Sequence, residues 1–143
     1  MYESAAAGAD AILLIVAALA EDDLRRLSKL AESLKLAALV EVHTMEEAAQ
    51  AVRANALIMG INNRNLQTLE VDLETSFRLR SRIPSWCDAV SESGIRTAAD
   101  LRRLHNAGYD AVLIGERFMT EPDPGKALAD LLALVPETAR PRV

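Results

Sequence analysis

The sequence predicts an α/β protein with a five-stranded parallel sheet made of repeated βα units. Five apolar runs rich in branched residues alternate with amphipathic helical stretches along the chain. Two near copies of one tetrapeptide, Ala-Gly-Ala-Asp at 7–10 and Ala-Gly-Tyr-Asp at 107–110, each end a helix with glycine and lead into a strand. The predicted strands begin about 25 residues apart on average, which fits one βα unit per strand.

The positions of the strands and the composition of the chain predict one domain. Strands are expected near 11–16, 37–42, 57–61, 88–91 and 111–115 of a single domain spanning 1–135, and residues 136–143 are expected to form a C-terminal tail. Half of the residues are hydrophobic but only 3% are aromatic, so the core must be built from aliphatic side chains. This composition suits parallel strands that are buried beneath helices rich in alanine and leucine.

The helices between the strands are visible in their periodicity and their caps. The helix after the first strand keeps a helical period in four leucines: Leu24, Leu27, Leu30 and Leu34. Four later helices have a predicted N-terminal cap: Thr44 with Glu47, Asp72, Thr97 with Asp100, and Asp123 before Pro124. Each predicted cap follows a predicted strand, so strands and helices alternate along the chain.

Two strand orders are compatible with these units. Eight units would make a closed (β/α)8 barrel of roughly 200 residues, whereas this chain has five. The order 1-2-3-4-5 gives a partial TIM barrel whose free edges and open apolar face are expected to cause self-association. The order 2-1-3-4-5 gives a flavodoxin-like, doubly wound three-layer sandwich. The partial barrel is favoured, because its order keeps Glu41, Asn62 and Glu92 in one cup.

Composition and charge argue against several classes of partner. The net charge of −5 comes from interspersed acids and bases, so no basic stripe is present and nucleic acid is not expected as a partner. The longest apolar run, 11–20, is too short to span a bilayer, and no membrane contact is expected. Cys87 is the only cysteine, which excludes an internal disulfide and fits a reducing, cytoplasmic compartment.

No metal site is expected from the histidines. His43 and His105 are the only two in the chain, and no third residue has metal-ligand spacing relative to them. His43 is predicted to be a hydrogen-bonded residue at a strand end, and His105 is predicted to lie in solvent on a helix.

Three predicted strands end in polar or glycine-rich segments. These segments are Gly-Ile-Asn-Asn-Arg-Asn at 60–65, Ser-Glu-Ser-Gly-Ile-Arg at 91–96 and Leu-Ile-Gly-Glu at 113–116. The carboxyl ends of parallel strands are where α/β proteins hold their ligands. The pattern therefore predicts a ligand site at this edge of the sheet.

Two of the predicted strand ends contain residues suited to chemistry. Alternation places Glu41 on the same side of its strand as His43, among apolar neighbours that raise a carboxylate's proton affinity and suit a general base. Asn62 and Arg64 are two residues apart, so an orienting amide and a carboxylate-clamping guanidinium can point into the same cup. The neighbouring asparagines at 63 and 65 are predicted to form an ordinary asparagine-rich turn.

Four ordered motifs resemble indole-3-glycerol-phosphate synthase. They are Val-Glu-Val-His at 40–43, Gly-Ile-Asn-Asn-Arg-Asn-Leu at 60–66, Ser-Glu-Ser-Gly-Ile-Arg at 91–96 and Leu-Ile-Gly-Glu at 113–116, with Val-Asp-Leu-Glu-Thr at 71–75 in support. The resemblance covers nearly the whole chain. It implies the fourth to eighth strands of a TIM barrel that closes an indole ring during tryptophan biosynthesis, with release of carbon dioxide and water and without metal or organic cofactor.

The resemblance also implies roles for particular residues. Glu41 matches the family's base in the late, water-eliminating phase, and Glu92 matches an active-site carboxylate. Arg64 would hold the carboxylate on the substrate's anthranilate ring. Phosphate would be held by backbone N–H groups of two loops: Ser93 and Gly94 would begin this site, and Gly115 and Glu116 would complete it.

The resemblance leaves a question about activity. The family's two catalytic lysines and an N-terminal glutamate belong to strands that this sequence does not contain, and its only lysines, Lys29, Lys35 and Lys126, lie in predicted helices. Negligible turnover by the chain alone is therefore expected, and a complementing N-terminal fragment is an expected partner. The alternative is a non-catalytic half-barrel that binds phosphate compounds and associates with itself.

Overall fold

The computed structural model describes residues 1–134, so the tail predicted at 136–143 lies outside the described residues. Its five strands are β1 (Ala11–Ile15), β2 (Ala37–Val42), β3 (Ile58–Asn62), β4 (Asp88–Glu92) and β5 (Ala111–Leu113). Its α-helices are α1 (Tyr2–Ala6), α2 (Glu21–Ser33), α3 (Met45–Arg53), α4 (Glu74–Leu79), α5 (Ala98–Asn106), α6 (Glu116–Met119) and α7 (Pro124–Ala133). Short 3-10 turns follow β1 at Val16–Ala18 and α4 at Arg80–Arg82.

All neighbouring strands pair in parallel, in the order β1-β2-β3-β4-β5. This is barrel order, so the partial barrel is confirmed and the flavodoxin-like alternative is wrong. The strands lie close to their predicted positions, but β1 ends at Ile15 because Val16 begins a 3-10 turn. The last strand ends at Leu113 instead of 115, because Gly115 already caps α6.

The two faces of the sheet differ in burial. The face beneath the helices is fully packed with aliphatic side chains, for example Val40, Val42, Met59 and Ile61, none more than 1% exposed. On the opposite face, Leu13 of β1 and Leu113 of β5 remain 47% and 50% exposed. The face that would line the inside of a barrel is therefore apolar and partly open along both edge strands.

The helices begin where short-range signals place them. Thr44, Thr97 and Asp123 each accept a hydrogen bond from the backbone N–H three residues later. The Thr97 cap is a complete capping box with Asp100. The other two predicted details need correction: the Glu47 carboxylate accepts from the N–H of His43 instead of closing a box on Thr44, and Asp72 lies one residue before the cap of α4.

Four helices end in the same way before a strand. Gly8 and Gly108 adopt positive φ values of 80° and 85°, and Lys35 and Asn55 adopt 59° and 60° at the equivalent positions. In each case the next N–H donates to the carbonyl five residues earlier, which is the Schellman arrangement. This recurrence confirms the repeated βα unit in the backbone. Within residues 1–134, no helix is both long enough and apolar enough to cross a membrane.

Candidate active site

The register of the sheet brings three predicted site residues to one edge. Ile15 pairs with Glu41 across β1 and β2, and Asn62 pairs with Glu92 across β3 and β4. Gly60 on β3 pairs with Glu41 on β2, and Asn62, two residues further along β3, pairs with Glu92 on β4. Gly60 therefore lies between the two glutamates. Alternation places all of these residues on the open face of the sheet.

Gly60 allows the two glutamates to meet. A Cβ atom at this position would lie 1.8 Å from Glu92 Oε1 and 2.9 Å from its Cδ atom. No side chain larger than hydrogen fits there without moving Glu92, so glycine at this position lets the Glu92 carboxylate take its observed place. The carboxylate of Glu92 crosses above this glycine toward Glu41 on the neighbouring strand.

Glu41 and Glu92 form a buried acidic pair. Each is only 4% exposed. Burial, followed by the charge of Glu41 and a hydrogen bond with it, raises the pKa of Glu92 to about 7. Within residues 1–134, the Oε1 atom of each glutamate is buried without an aligned hydrogen-bond partner. The pair can therefore hold a proton near neutral pH.

His43 adds a third titratable group that sequence reasoning did not connect to the site. Its Nε2 atom lies 3.3 Å from Glu41 Oε1, and its Nδ1 atom lies 3.1 Å from Glu47 Oε2. Alternation along β2 was the available signal, because it places residues 41 and 43 on one side. Among the described residues, no three His, Cys, Asp or Glu side chains form a group that could hold a metal ion.

Asn62 and Arg64 do not share the cup in the predicted way. The Asn62 Oδ1 atom accepts from the backbone N–H of Arg64 at 2.9 Å, which tightens the turn after β3. The Arg64 guanidinium forms an ion pair with Glu116 and also donates to the carbonyl of Leu69. Arg64 therefore lies near the predicted phosphate loops and is already paired, whereas the amide nitrogen of Asn62 makes no hydrogen bond within residues 1–134.

Asn63 is not the ordinary turn residue that composition predicted. It is 3% exposed, and its amide nitrogen donates to the Ser91 hydroxyl and to the carbonyls of Glu92 and Ser93 at 2.9–3.1 Å. Its amide oxygen accepts from the N–H and hydroxyl of Ser76. Asn63 therefore fixes the end of β4, where Glu92 and the predicted phosphate loop begin.

Asn65, in contrast, is the turn residue that was predicted. Its side-chain oxygen accepts from the backbone N–H groups of Gln67 and Thr68. The segment folds back on itself, with an antiparallel bridge between Arg64 and Val71.

The two predicted phosphate loops lie next to each other. Ser93 and Gly94 have φ values of 66° and 76°, and the N–H of Ser93 donates to the carbonyl of Leu113 at 3.3 Å. A Cβ atom at Gly94 would lie 2.7 Å from Val71 Cγ1, so both its conformation and its space require glycine. Gly115 has no atom within 4 Å of the corresponding position, so its backbone is open to approach.

A cavity of about 380 Å³ opens beside these loops. It is lined by Gly94 and Glu116 and by three arginines, Arg64, Arg96 and Arg117, among other residues. Sequence reasoning did not assign Arg96 or Arg117 to a site, although Arg96 ends the segment at 91–96 and Arg117 directly follows the segment at 113–116. The cavity thus combines open backbone, three guanidinium groups and two exposed carboxylates, those of Glu116 and Glu121.

Parallel strands in barrel order, with acidic and amide side chains gathered at their carboxyl ends, define five units of a (β/α)-barrel protein. Solved structures show the same fold. A thiamine phosphate pyrophosphorylase from Pyrococcus furiosus matches with a TM-score of 0.72 and 21% identity, over 94% of this chain and 63% of that chain. A 3-hexulose-6-phosphate synthase matches with a TM-score of 0.73 and 15% identity, over 91% and 64%.

Sequence comparison identifies the family. The model of the indole-3-glycerol phosphate synthase family matches residues 1–131, and the chain belongs to that family. Relatives named indole-3-glycerol phosphate synthase are 49% identical in Albidiferax ferrireducens over 133 residues and 50% identical in Rhodococcus opacus over 132 residues. These matches cover 93% and 92% of this chain but 50% and 49% of the relatives, so the chain spans about half their length.

Proposed function

We propose that this chain supplies the late acid–base half of an indole-3-glycerol phosphate synthase site. The observation that carries the proposal is the buried pair of Glu41 on β2 and Glu92 on β4, whose carboxyl groups approach each other above Gly60 of the strand between them. In this proposal Glu41 is the base of the water-eliminating phase, Asn62 orients the substrate through its free amide nitrogen, and Glu92 is the second carboxyl group of the site.

The pKa of Glu92 supports this division of roles. A carboxyl group with a pKa of about 7 is partly protonated at neutral pH and can donate a proton. The fully ionised form of the pair would place two negative charges together at a buried site. One glutamate therefore accepts a proton while its neighbour holds one, which is the arrangement that a dehydration step needs.

The overall reaction needs groups that this chain does not bring to the site. In the family reaction a carboxyphenylamino deoxyribulose phosphate closes to an indole with loss of carbon dioxide and water. Lys29 lies within α2, Lys35 immediately follows α2, and Lys126 in α7 is paired with Asp130 at 2.6 Å. No lysine of this chain is placed to act as a general acid at the strand ends, so we expect turnover only when the N-terminal strands of a relative are supplied.

A steady-state assay for indole glycerol phosphate tests this function. The chain alone should give no measurable turnover, and addition of the N-terminal half of the Rhodococcus opacus relative should restore it. Glu41→Gln should then reduce the restored rate by roughly 10²–10⁴-fold, whereas Glu46→Gln, an exposed glutamate on α3, should leave it unchanged. Full activity of the chain alone, or of the Glu41→Gln variant, would refute the proposal.

We also propose that the cavity beside the loops holds the substrate's phosphate. Support comes from the adjacent loops at Ser93-Gly94 and Gly115-Glu116 and from the guanidinium groups of Arg96 and Arg117 beside them. The side chain of Glu116 is engaged by Arg64, so its backbone N–H is the group available to an anion. Millimolar affinity for inorganic phosphate is expected.

A non-catalytic, self-associating half-barrel is the second candidate, and the exposed inner face favours it. We propose that the open edges of β1 and β5 associate with a second copy when the N-terminal half of a barrel is not supplied. Leu13→Lys should then shift the sedimentation of the chain toward monomer, and Leu134→Lys, at an exposed leucine after α7, should not. A compact monomer at high concentration for the unmodified chain would contradict this proposal.

We place the protein in the cytoplasm. The support is the unpaired, buried thiol of Cys87, which fits a reducing compartment.

A further inference from the structure

His43 connects the buried acidic pair to the edge of the protein. Its ring lies between Glu41, whose side chain is 5% exposed, and Glu47, whose side chain is 19% exposed. The backbone N–H of His43 also donates to Glu47 Oε2 at 2.6 Å, so the first turn of α3 holds both the ring and the strand end in place. The ring is therefore held through Nδ1 by Glu47, while its Nε2 atom lies 3.3 Å from the carboxyl group of Glu41 without a hydrogen bond.

The number of protons in this arrangement is constrained. An ionised carboxylate can only accept hydrogen bonds, and a neutral imidazole has one donor and one acceptor. Both ring contacts can become hydrogen bonds only if the ring is doubly protonated or if one carboxyl group is protonated. Within residues 1–134, neither Glu41 Oε1 nor His43 Nε2 makes a hydrogen bond, although the two atoms lie 3.3 Å apart, so their contact is the place where this additional proton would be held.

We propose that His43 is a positioning residue that carries a proton between Glu41 and solvent by way of Glu47. This inference rests on the proposed role of Glu41 as a base. A proton accepted by Glu41 leaves its Oε1 atom and bonds to Nε2 of the ring. The proton on Nδ1 then leaves the ring and bonds to Glu47 Oε2, which releases it to water.

The transfer balances and can be reversed. One proton leaves the site, both carboxylates end ionised, and the ring ends as the other neutral tautomer. A proton that moves inward along the same path returns the ring to its first tautomer. A site that removes one proton from its substrate and later returns one therefore resets itself.

Glu92 makes the path observable. It contacts Glu41 and has a pKa of about 7, so a change in charge at the ring must alter its titration. The 3-10 turn at Val16–Ala18, which packs against β2 and α3, contains no titratable side chain. The 3-10 turn at Arg80–Arg82 also packs against α3 and contributes one charged group to this region, Arg82, whose Nε atom donates to Met45 Sδ. Glu46 is exposed and makes no hydrogen bond or ion pair with His43 among the described residues.

NMR of the 143-residue chain between pH 5 and 9 tests the path. We expect the titration of the Glu92 carboxyl carbon near pH 7 to be accompanied by a change in the ring nitrogen signals of His43. His43→Gln removes the ring from its place 3.3 Å from Glu41 Oε1, so the titration of Glu92 should shift by roughly half a pH unit or more. Glu47→Gln keeps an acceptor for the N–H of His43 and should also shift the titration of Glu92, whereas Glu46→Gln should not.

Chemical rescue distinguishes proton transfer from a purely structural role. In the chain combined with the N-terminal half of a relative, His43→Ala should lose roughly tenfold or more in kcat, and added imidazole should recover part of the loss. The proton path would be overturned if His43→Gln left the titration of Glu92 unshifted. It would also be overturned if imidazole failed to rescue His43→Ala under conditions in which the unmodified chain, combined with the N-terminal half, is active. A third outcome separates the two proposals. If His43→Gln shifts the titration of Glu92 but the unmodified chain, combined with the N-terminal half of a relative, shows no turnover that depends on Glu41, the proposed function fails and the proton path stands.

Discussion

Replacement of Glu92 by glutamine should change how the stability of the chain depends on pH. Burial and the neighbouring charge of Glu41 raise the pKa of Glu92 from 4.5 to about 7. The folded chain therefore binds more protons than the unfolded chain between these two values. Stability from this group is fully present below about pH 4.5 and is lost as the pH rises through about 7. Glu92→Gln cannot ionise and should lack this loss.

The size of the effect follows from linkage. One pKa unit corresponds to about 1.4 kcal/mol, so the interval from pH 5.5 to 7 gives an upper value of about 2 kcal/mol. Water at the open inner face screens the interaction and reduces this value. We expect the unmodified chain to lose about 1 kcal/mol more than Glu92→Gln between pH 5.5 and pH 8.

Denaturant unfolding at the two pH values measures this difference directly. The midpoint should fall more for the unmodified chain than for Glu92→Gln, with equal slopes in denaturant. Glu46→Gln is the matched control, because it removes an exposed carboxylate from the neighbouring α3 and should behave like the unmodified chain. Identical pH dependence in the unmodified chain and in Glu92→Gln, or a larger loss in the variant, would refute the assignment of a raised pKa to this carboxyl group.

Three further changes test other parts of the site. In Gly60→Ala, the new Cβ atom would lie 1.8 Å from Glu92 Oε1, so the carboxylate would have to move by about 1.2 Å to reach an ordinary contact. A misplacement of this size should reduce the restored activity by roughly 10²-fold. Gly125→Ala is a control of the same type. Asn63→Ala leaves buried groups of the network without partners and should lower the free energy of unfolding by about 2–4 kcal/mol, measured by denaturant titration. Glu116→Gln removes a carboxylate from the cavity proposed to hold phosphate and should tighten phosphate binding several-fold in an NMR titration. Unchanged or weaker binding would contradict the proposed location.

The fold was predictable because its signals are local. The units that contain α3 and α5 each combine an apolar run, a threonine cap and a left-handed residue: Thr44 with Asn55, and Thr97 with Gly108. The strand order came from a different argument, namely that barrel order keeps Glu41 and Glu92 together. The pairing of β2 with β3 and of β3 with β4 confirms that order.

Parts of the site were not predictable because they depend on contacts between distant segments. Arg64 and Glu116 are 52 residues apart and meet only after three strands are assembled. Asn63 lies in a segment with the composition of a turn, yet the chain folds back through the Arg64–Val71 bridge and buries it. Alternation predicted the side of the strand on which His43 lies, but the approach of Glu47 depends on how α3 packs.

The fold-back explains why composition alone misleads at position 63. A turn residue exposed to water needs no partner, and asparagine is common there. A buried asparagine must have all of its hydrogen-bonding groups satisfied. The partners of Asn63 come from Ser76, Ser91 and the end of β4, which lie 13 to 30 residues away in the sequence.

Binding of indole-3-glycerol phosphate to the chain, mapped by amide NMR, tests the central claim most directly. That claim is that the ends of β2, β3, β4 and β5 form one site within this half of a barrel. The account predicts saturable shifts at millimolar ligand for Asn62, Gly94 and Gly115 together, reduced in Gly60→Ala. Shifts at only one of these strand ends, or confined to the helix surfaces around Lys29 and Lys126, would contradict it.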